Sequence, residues 1–310
     1  MSGNLITSRS ILADLTLALS QGTSGWVPDL CMKMTSDQAA ETYAWLGQSP
    51  AMQEWLGGRG AKDLREYSFS ITNKDYEATL EITVPELRRA KSGAFQIRIA
   101  DLAQRVNAFP AKLASTLIIA AEAKACYDGQ YFFDTDHAEG DSGTQDNDLT
   151  YAAATGTTPT VDEMKGAIIQ SVTKMLGYKD DRGELMNENA KDFLVMVPLI
   201  YFQQAVEAVN MPTVSAGGAN LLQNLPDGIR ITPVANARLD AGGWTTKMVT
   251  FARDSAMKPF ILQEELPLHV SALTEDSDLA FTENKHRYGV DWAGNVGLGF
   301  WQKACLTTFT

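Results

Sequence analysis

From Tyr67 to Val84 the chain alternates almost without a break. Tyr67, Phe69 and Ile71 are interleaved with Ser68, Ser70 and Thr72, and Tyr76, Ala78, Leu80, Ile82 and Val84 with Glu77, Thr79, Glu81 and Thr83. Side chains of a strand point to opposite faces at every step, so this pattern specifies two strands, each with one apolar and one polar face. Asn73-Lys74-Asp75 between them has turn chemistry, and the spacing predicts a long β-hairpin. A two-stranded ribbon is marginal by itself in water, so the apolar face must rest on something else.

The segments around it read as mixed α and β. Ile11, Leu12, Leu15 and Leu19 share a helical face with Leu5, and Gln21-Gly22-Thr23-Ser24-Gly25 ends that segment, giving the appearance of an arm. Thr35 with Gln38 has the form of a capping box before a short helix to Gly47, and Pro50 opens a second one through Trp55. From Leu102 the apolar positions follow three- and four-residue steps through Val106, Phe109, Leu113 and Leu117, a long amphipathic helix that Pro110 kinks or restarts on the way to Tyr127. Further on, the pattern predicts a helix over 161–176, a buried strand over 193–197 and a helix over 198–209. Strands follow near 229–234, 247–251, 260–263 and 286–292, then a Gly-rich closing strand through Val296, Leu298 and Phe300.

Composition removes several function classes. A net charge of -12 without a Lys/Arg-rich run gives no basic patch for reading nucleic acid, although a weakly repelling wall could enclose DNA. No run approaches the length of a membrane span, and Ile11 to Leu19, broken by Asp14, lacks the basic lead of a signal peptide; the expected setting is a cytosol. Cys31, Cys126 and Cys305 are scattered without metal-ligand spacing and read as small buried hydrophobes. The six tryptophans read as packing or interface anchors.

Candidate chemistry is sparse. Residues 125–164 carry nine Asp or Glu and no Lys or Arg, and read as an exposed acidic loop. Within it Gly140-Asp141-Ser142-Gly143 matches a serine-hydrolase nucleophile string, but that mechanism needs a His held by a carboxylate beside the serine, and the three histidines are poorly ordered for it. Asp134, Asp136, His137, Glu139 and Asp141 could converge on a cation, yet the glycine and glutamate of a calcium loop are missing. No phosphate loop, dinucleotide fingerprint, zinc-protease or α/β-hydrolase motif occurs, so neither a catalytic residue nor a cofactor or metal is expected. Arg59, Lys62, Arg65, Lys74, Arg88, Arg89 and Lys91 gather positive charge around the predicted hairpin, either as a solvated face or as partners for a neighbouring subunit.

Particular strings carry a resemblance. Tyr43-Ala44-Trp45-Leu46-Gly47-Gln48 with Glu54-Trp55-Leu56-Gly57, Tyr127-Asp128-Gly129-Gln130-Tyr131-Phe132-Phe133 with Asp136-His137, Phe251-Ala252-Arg253-Asp254 with Lys258-Pro259-Phe260-Ile261, and Tyr288-Gly289-Val290 with Gly294-Asn295-Val296-Gly297 resemble the protein T family, the major head subunits of Mu-like phages, over nearly the whole chain. The resemblance implies an α+β fold of the Hong Kong 97 capsid type. Its parts would be an N-terminal arm with short helices (1–56), an extended hairpin loop (57–85), a peripheral domain with a long spine helix (86–154), an axial α/β domain (155–270) and peripheral strands returning at 271–310. It implies no catalytic residue. It also implies self-assembly into hexamers and pentamers of an icosahedral shell around double-stranded DNA, without sequence-specific binding. Scaffold, protease, portal and decoration proteins would be further partners, with assembly in the host cytoplasm. The hairpin would lie across a neighbouring subunit through Arg59, Arg65, Tyr67, Phe69, Ile71, Tyr76, Leu80 and Arg88. Two other readings stay open: a cellular compartment shell of the same fold, and a hydrolase using Ser142.

Overall fold

The structure, a computed structural model, describes residues 8–22, 25–43, 69–89, 92–213, 220–223, 225–241 and 243–310. Helix α1 (Ser8–Ser20) and the single turn α2 (Val27–Leu30) lead into strands β1 (Cys31–Thr35) and β2 (Ala40–Tyr43). Strands β3 (Phe69–Thr72) and β4 (Lys74–Thr83) come next, then α3 (Val84–Arg89), α4 (Ser92–Asn107) and α5 (Phe109–Ala120). An irregular stretch reaches β5 (Asp148–Tyr151), α6 (Val161–Leu176), β6 (Asp192–Val197), α7 (Phe202–Asn210), β7 (Arg230–Ala235), α8 (Ala237–Ala241) and β8 (Lys247–Ala252). Two fourteen-residue strands, β9 (Phe260–Leu273) and β10 (Lys285–Leu298), are joined through α9 (Asp278–Glu283), and β11 (Ala304–Phe309) follows.

Two main sheets result. One is ordered β1-β9-β10-β4, the other β5-β11-β8-β6-β7, and β2 and β3 form a small third ladder. Both main sheets mix parallel and antiparallel pairs: β1 runs parallel to β9, β11 to β5 and β6 to β7.

The hairpin expectation requires correction. β3 and β4 do not pair with each other. β3 pairs antiparallel with β2, Ile71 opposite Glu41, whereas β4 pairs antiparallel with β10, Leu80 opposite Tyr288. Asn73 is the joint: its N–H bonds the Ala39 carbonyl at 2.9 Å and its side-chain amide reaches Ser36 and Gln38, so the chain leaves one ladder and enters another without a turn. Alternation reports the face of a strand and not its partner, which is why the periodicity was compatible with both arrangements.

The same ladder replaces the helix expected over 39–47, since Ala40–Tyr43 is β2. Tertiary pairing outweighs the weak helix propensity of so short a segment. The second short helix, at 50–55, lies outside the described residues. Pro110 in the first turn of α5 restarts the long helix after Ala108. α5 then ends at Ala120, and a single 3-10 turn follows instead of helix to Tyr127.

Two cores hold these layers. Ile11, Leu15 and Leu19 of α1 meet Phe95, Ile99 and Ala103 of α4 and Ile82, Tyr288 and Val290 of the four-stranded sheet. The segment expected as an arm thus supplies a packed helix, α1, and an edge strand, β1. The larger core runs from Val27, Leu30 and Ile71 through Phe132 and Phe260 to the five-stranded sheet, where Phe193, Val195, Phe251 and Leu306 are fully buried. The sheets therefore share one continuous interior. Helix α6 is fixed at its start by a reciprocal capping box between Thr160 and Glu163 and buries Met164, Ala167, Ile168 and Met175.

β3 is seated on β10 at Gly297. A Cβ there would stand 2.1 Å from Cδ1 of Ile71 and 3.3 Å from the Phe69 ring. Gly297→Val should therefore lower stability by about 2 kcal/mol through overpacking, read from a urea unfolding midpoint, while Ile71→Ala in the same background should recover part of the loss.

Candidate functional site

The eight residues singled out for contact between subunits do not gather in one place. Arg59, Arg65 and Tyr67 lie outside the described residues, and Arg88 is on α3. Ile71 is buried in the larger core with Phe69 packed against that core, and Leu80 packs against the α1–α4 cluster. The apolar face of these strands is thus covered in part within the subunit, Ile71 and Ile82 fully and Phe69 and Leu80 partly. Tyr76 differs: half-buried, it stands edge-on to Phe109 at 4.6 Å and stacks with Trp292 at 5.6 Å, over the joint between α4 and α5. That aromatic triad floors a groove of about 820 Å³ on the four-stranded sheet.

The acidic stretch also departs from expectation. It is irregular, but much of it is not exposed: Phe132, His137, Glu139, Ser142 and Asn147 are all buried. Its partner is the segment Trp301-Gln302-Lys303, which composition around residue 140 could not announce. The His137 ring lies flat on the Trp301 indole, centroids 4.0 Å apart at 8°, and its Nδ1 is 2.6 Å from Asp128 Oδ2 with both side chains shielded from water. Trp301 Nε1 donates to Glu139 Oε1 at 3.2 Å, and Gln302 Nε2 donates to the Tyr127 hydroxyl at 2.9 Å. Asn147 donates to the Phe132 carbonyl at 2.8 Å and accepts from the Asp134 N–H at 2.9 Å. Burial raises the Glu139 carboxyl and the Tyr127 phenol above their ordinary ranges.

An Asp–His pair beside Ser142 invites comparison with a hydrolase, but the serine is otherwise occupied. Its Oγ accepts the Glu139 N–H and donates to the Gly143 carbonyl, both at 2.9 Å, and no hydrogen bond joins it to His137 among the described residues. The flanking glycines serve the turn. Gly140 and Gly143 have φ of 53° and 70°, and a Cβ on Gly140 would stand 2.2 Å from the Asp181 carbonyl oxygen. Among the described residues no group of three or more His, Cys, Asp or Glu side chains could hold a metal ion. No helix among them is long and apolar enough to cross a membrane. All three cysteines are buried and free.

Lys303 is the residue that sequence reasoning missed. It is 2% exposed, bonded to Asn187 Oδ1 at 2.5 Å and, among the described residues, in no ion pair. Desolvation lowers its ammonium pKa to about 8. The Asn187 amide donates to the carbonyls of Met175 and Gln302, so the cation is held in a polar nest that ties α6 to the turn before β11.

The family model described as Mu-like prophage major head subunit gpT matches residues 8–169 and 226–308. The chain belongs to this family. Among curated gpT-like proteins it is 32% identical over 279 residues to the Mu-like prophage FluMu major head subunit of Haemophilus influenzae, covering 89% of this chain. It is 30% identical over 108 residues, 35% of this chain, to the major capsid protein of Escherichia phage Mu. It spans 64% of the length of the first relative and 35% of the second. Among solved structures, the procapsid subunit of bacteriophage JBD30 superposes with a TM-score of 0.56 at 21% identity, over 98% of this chain and 76% of that one. A virus-like particle from Pyrococcus furiosus gives 0.55 at 10% identity, over 96% and 98%. The mature capsid of bacteriophage PhiM1 gives 0.56 at 12%, over 94% and 87%. The gpT-family fold is thus of the Hong Kong 97 capsid type, α+β with two mixed sheets.

Two measurements test these assignments. Ser142→Ala should lower stability by about 1–2 kcal/mol through loss of the turn bonds, and neither it nor the parent should be labelled by a fluorophosphonate probe. For Lys303 the folded pKa lies below the unfolded value, so the penalty of the buried cation is full below pH 8 and is relieved as pH rises toward 10.5. The unfolding free energy of the parent relative to Lys303→Met should therefore rise by roughly 2 kcal/mol between pH 7 and pH 10 in denaturant titrations.

Proposed function

We propose that this chain is a major capsid protein that self-assembles into the icosahedral head shell of a Mu-like tailed phage or prophage, enclosing double-stranded DNA. The match to the gpT family across both main sheets carries the reading. Its role is structural and not catalytic, in keeping with a serine committed to a turn and an Asp–His pair sealed under Trp301. The virion head is its final location, with assembly in the host cytoplasm. Its partners are copies of itself in hexamers and pentamers, followed by scaffold or protease, portal and decoration proteins of the same phage. A net charge of -12 suits a wall that holds DNA without gripping it.

Within the subunit the four-stranded sheet with α4 and α5 corresponds to the peripheral domain. The five-stranded sheet with α6 and α7 corresponds to the axial domain. On this reading β11 belongs with the axial sheet, and the peripheral sheet already begins at β9. The extended loop expected at 57–85 falls partly on the chain between β2 and β3, which lies outside the described residues; the strands that bracket that chain pair antiparallel with each other.

A second reading of the same fold, which the virus-like particle from Pyrococcus furiosus shares, is a shell whose cargo is something other than a genome. Purified protein should form fast-sedimenting closed particles, visible in negative stain, that protect phage DNA from nuclease when made during infection or prophage induction. Particles filled with protein and free of DNA would favour the second reading. A monomer at every concentration would exclude both.

A further inference from the structure

Phe281 is 91% exposed, more than any other large apolar side chain among the described residues. Its position is built. Ser277 caps α9 by accepting the Ala280 N–H at 3.2 Å, Asn284 ends it in the left-handed conformation with φ of 57°, and β9 and β10 run back from it in register from Leu273 and Arg287. The tip, residues 274–283, carries Glu275, Asp276, Asp278 and Glu283 and no Lys or Arg. Local structure that holds a phenyl ring in water leaves apolar area for a partner to cover.

The same chain offers a complementary cavity. The groove floored by Tyr76, Phe109 and Trp292 has room for a further aromatic ring in edge or offset contact with the triad. Lys33, Arg105, Lys112 and Arg238 line it against Glu77 and Glu264. Lys33 pairs with Glu264 and Arg105 with Asp101, while Lys112 and Arg238 are in no ion pair among the described residues.

A subunit cannot fill its own groove. Leu268 of β9 lines it, and β9 continues for five more residues before the tip, which places Phe281 about 17 Å or more farther along a paired, twisted ribbon. Direct meeting of tips from several copies would bring their carboxylates together, whereas tip and groove are opposite in charge balance.

We propose that the β9–β10 tip of one copy seats Phe281 in the Tyr76–Phe109–Trp292 groove of a second copy. This contact rests on the shell-forming reading and adds a particular joint to it. Knob and hole lie on different surfaces of one chain, so unless two copies exchange them reciprocally about a two-fold the contact is heterologous and propagates into rings or closed shells.

The test compares particle yield and cross-linking in the full chain. Phe281→Asp should leave the circular dichroism and thermal midpoint of the subunit unchanged, because the ring touches little in the monomer, and should reduce particle yield at least tenfold. In particles of the double variant Phe281→Cys, Val106→Cys, oxidation should give a ladder of disulfide-linked multimers that neither single variant gives. Parent-level assembly of Phe281→Asp overturns the joint and leaves the shell reading intact. So does cross-linking of Phe281→Cys alone, which would place tips against tips, or a double variant no more linked than the singles. A parent protein that forms no particles overturns both.

Discussion

A strand has two edges, and the structure is organised by how β10 satisfies both of its own. It bonds β9 from Arg287 to Leu298 on one side and β4 from Lys285 to Gly294 on the other, and β1 then pairs with the first five residues of β9. Everything on that sheet is placed by this choice. It takes β4 away from β3, so β3 turns to β2, and it stations Tyr288 and Val290 beneath α1 and α4. It also sets Gly297 under Ile71, where any larger residue would push the small β2–β3 ladder off the sheet. A change in β10 is felt in three layers.

The second organising element is the sealed polar interior around residues 301–303. Buried polar groups are tolerated where they find partners, and here the irregular stretch after α5 supplies most of them: Tyr127 for Gln302, Glu139 for Trp301, Asp128 for Nδ1 of the His137 that stacks on Trp301, while His137 Nε2 has no hydrogen-bond partner among the described residues. These bonds lock a loop with no regular structure of its own to the turn between the two main sheets. Trp244 and Lys247 add a further tie by converging on Glu122 at the end of α5. Arg253 does the same across the molecule, reaching Asp192 of β6, Asp29 of α2 and Thr232 of β7. Side chains of this kind tie the five-stranded sheet to α2 and to the end of α5.

How much of this was legible in the chain follows from the range of each cause. Local causes were read well. The spacing from Val161 to Leu176 gave α6 to the residue, Pro110 marked the restart of the long helix, and Phe193 to Val197 stood out as a buried strand. Strand faces were legible and partners were not, because Phe69 and Tyr76 alternate equally well against each other or against strands elsewhere. The acidic stretch looked exposed because no short window around Glu139 contains Trp301 or Gln302, whose donors make its burial tolerable. Lys303 carried no signal, since an isolated lysine in a polar turn is ordinary until the fold closes over it. The family strings were recognisable throughout and matched residues on both main sheets, but they named a kind of subunit and left its internal pairings to be found.

The pairing of Cys31 with Phe260 and of Leu80 with Tyr288 also sets an order of events during synthesis. Both β1 and β4 must wait, unpaired, until the ribosome has delivered β9 and β10, which can zip together locally across α9. Contacts so distant along the chain are slow to form, and strands waiting for them expose adhesive edges. The four-stranded sheet can accordingly close only after β10 has emerged, whereas β6, β7 and β8 of the other sheet can pair earlier.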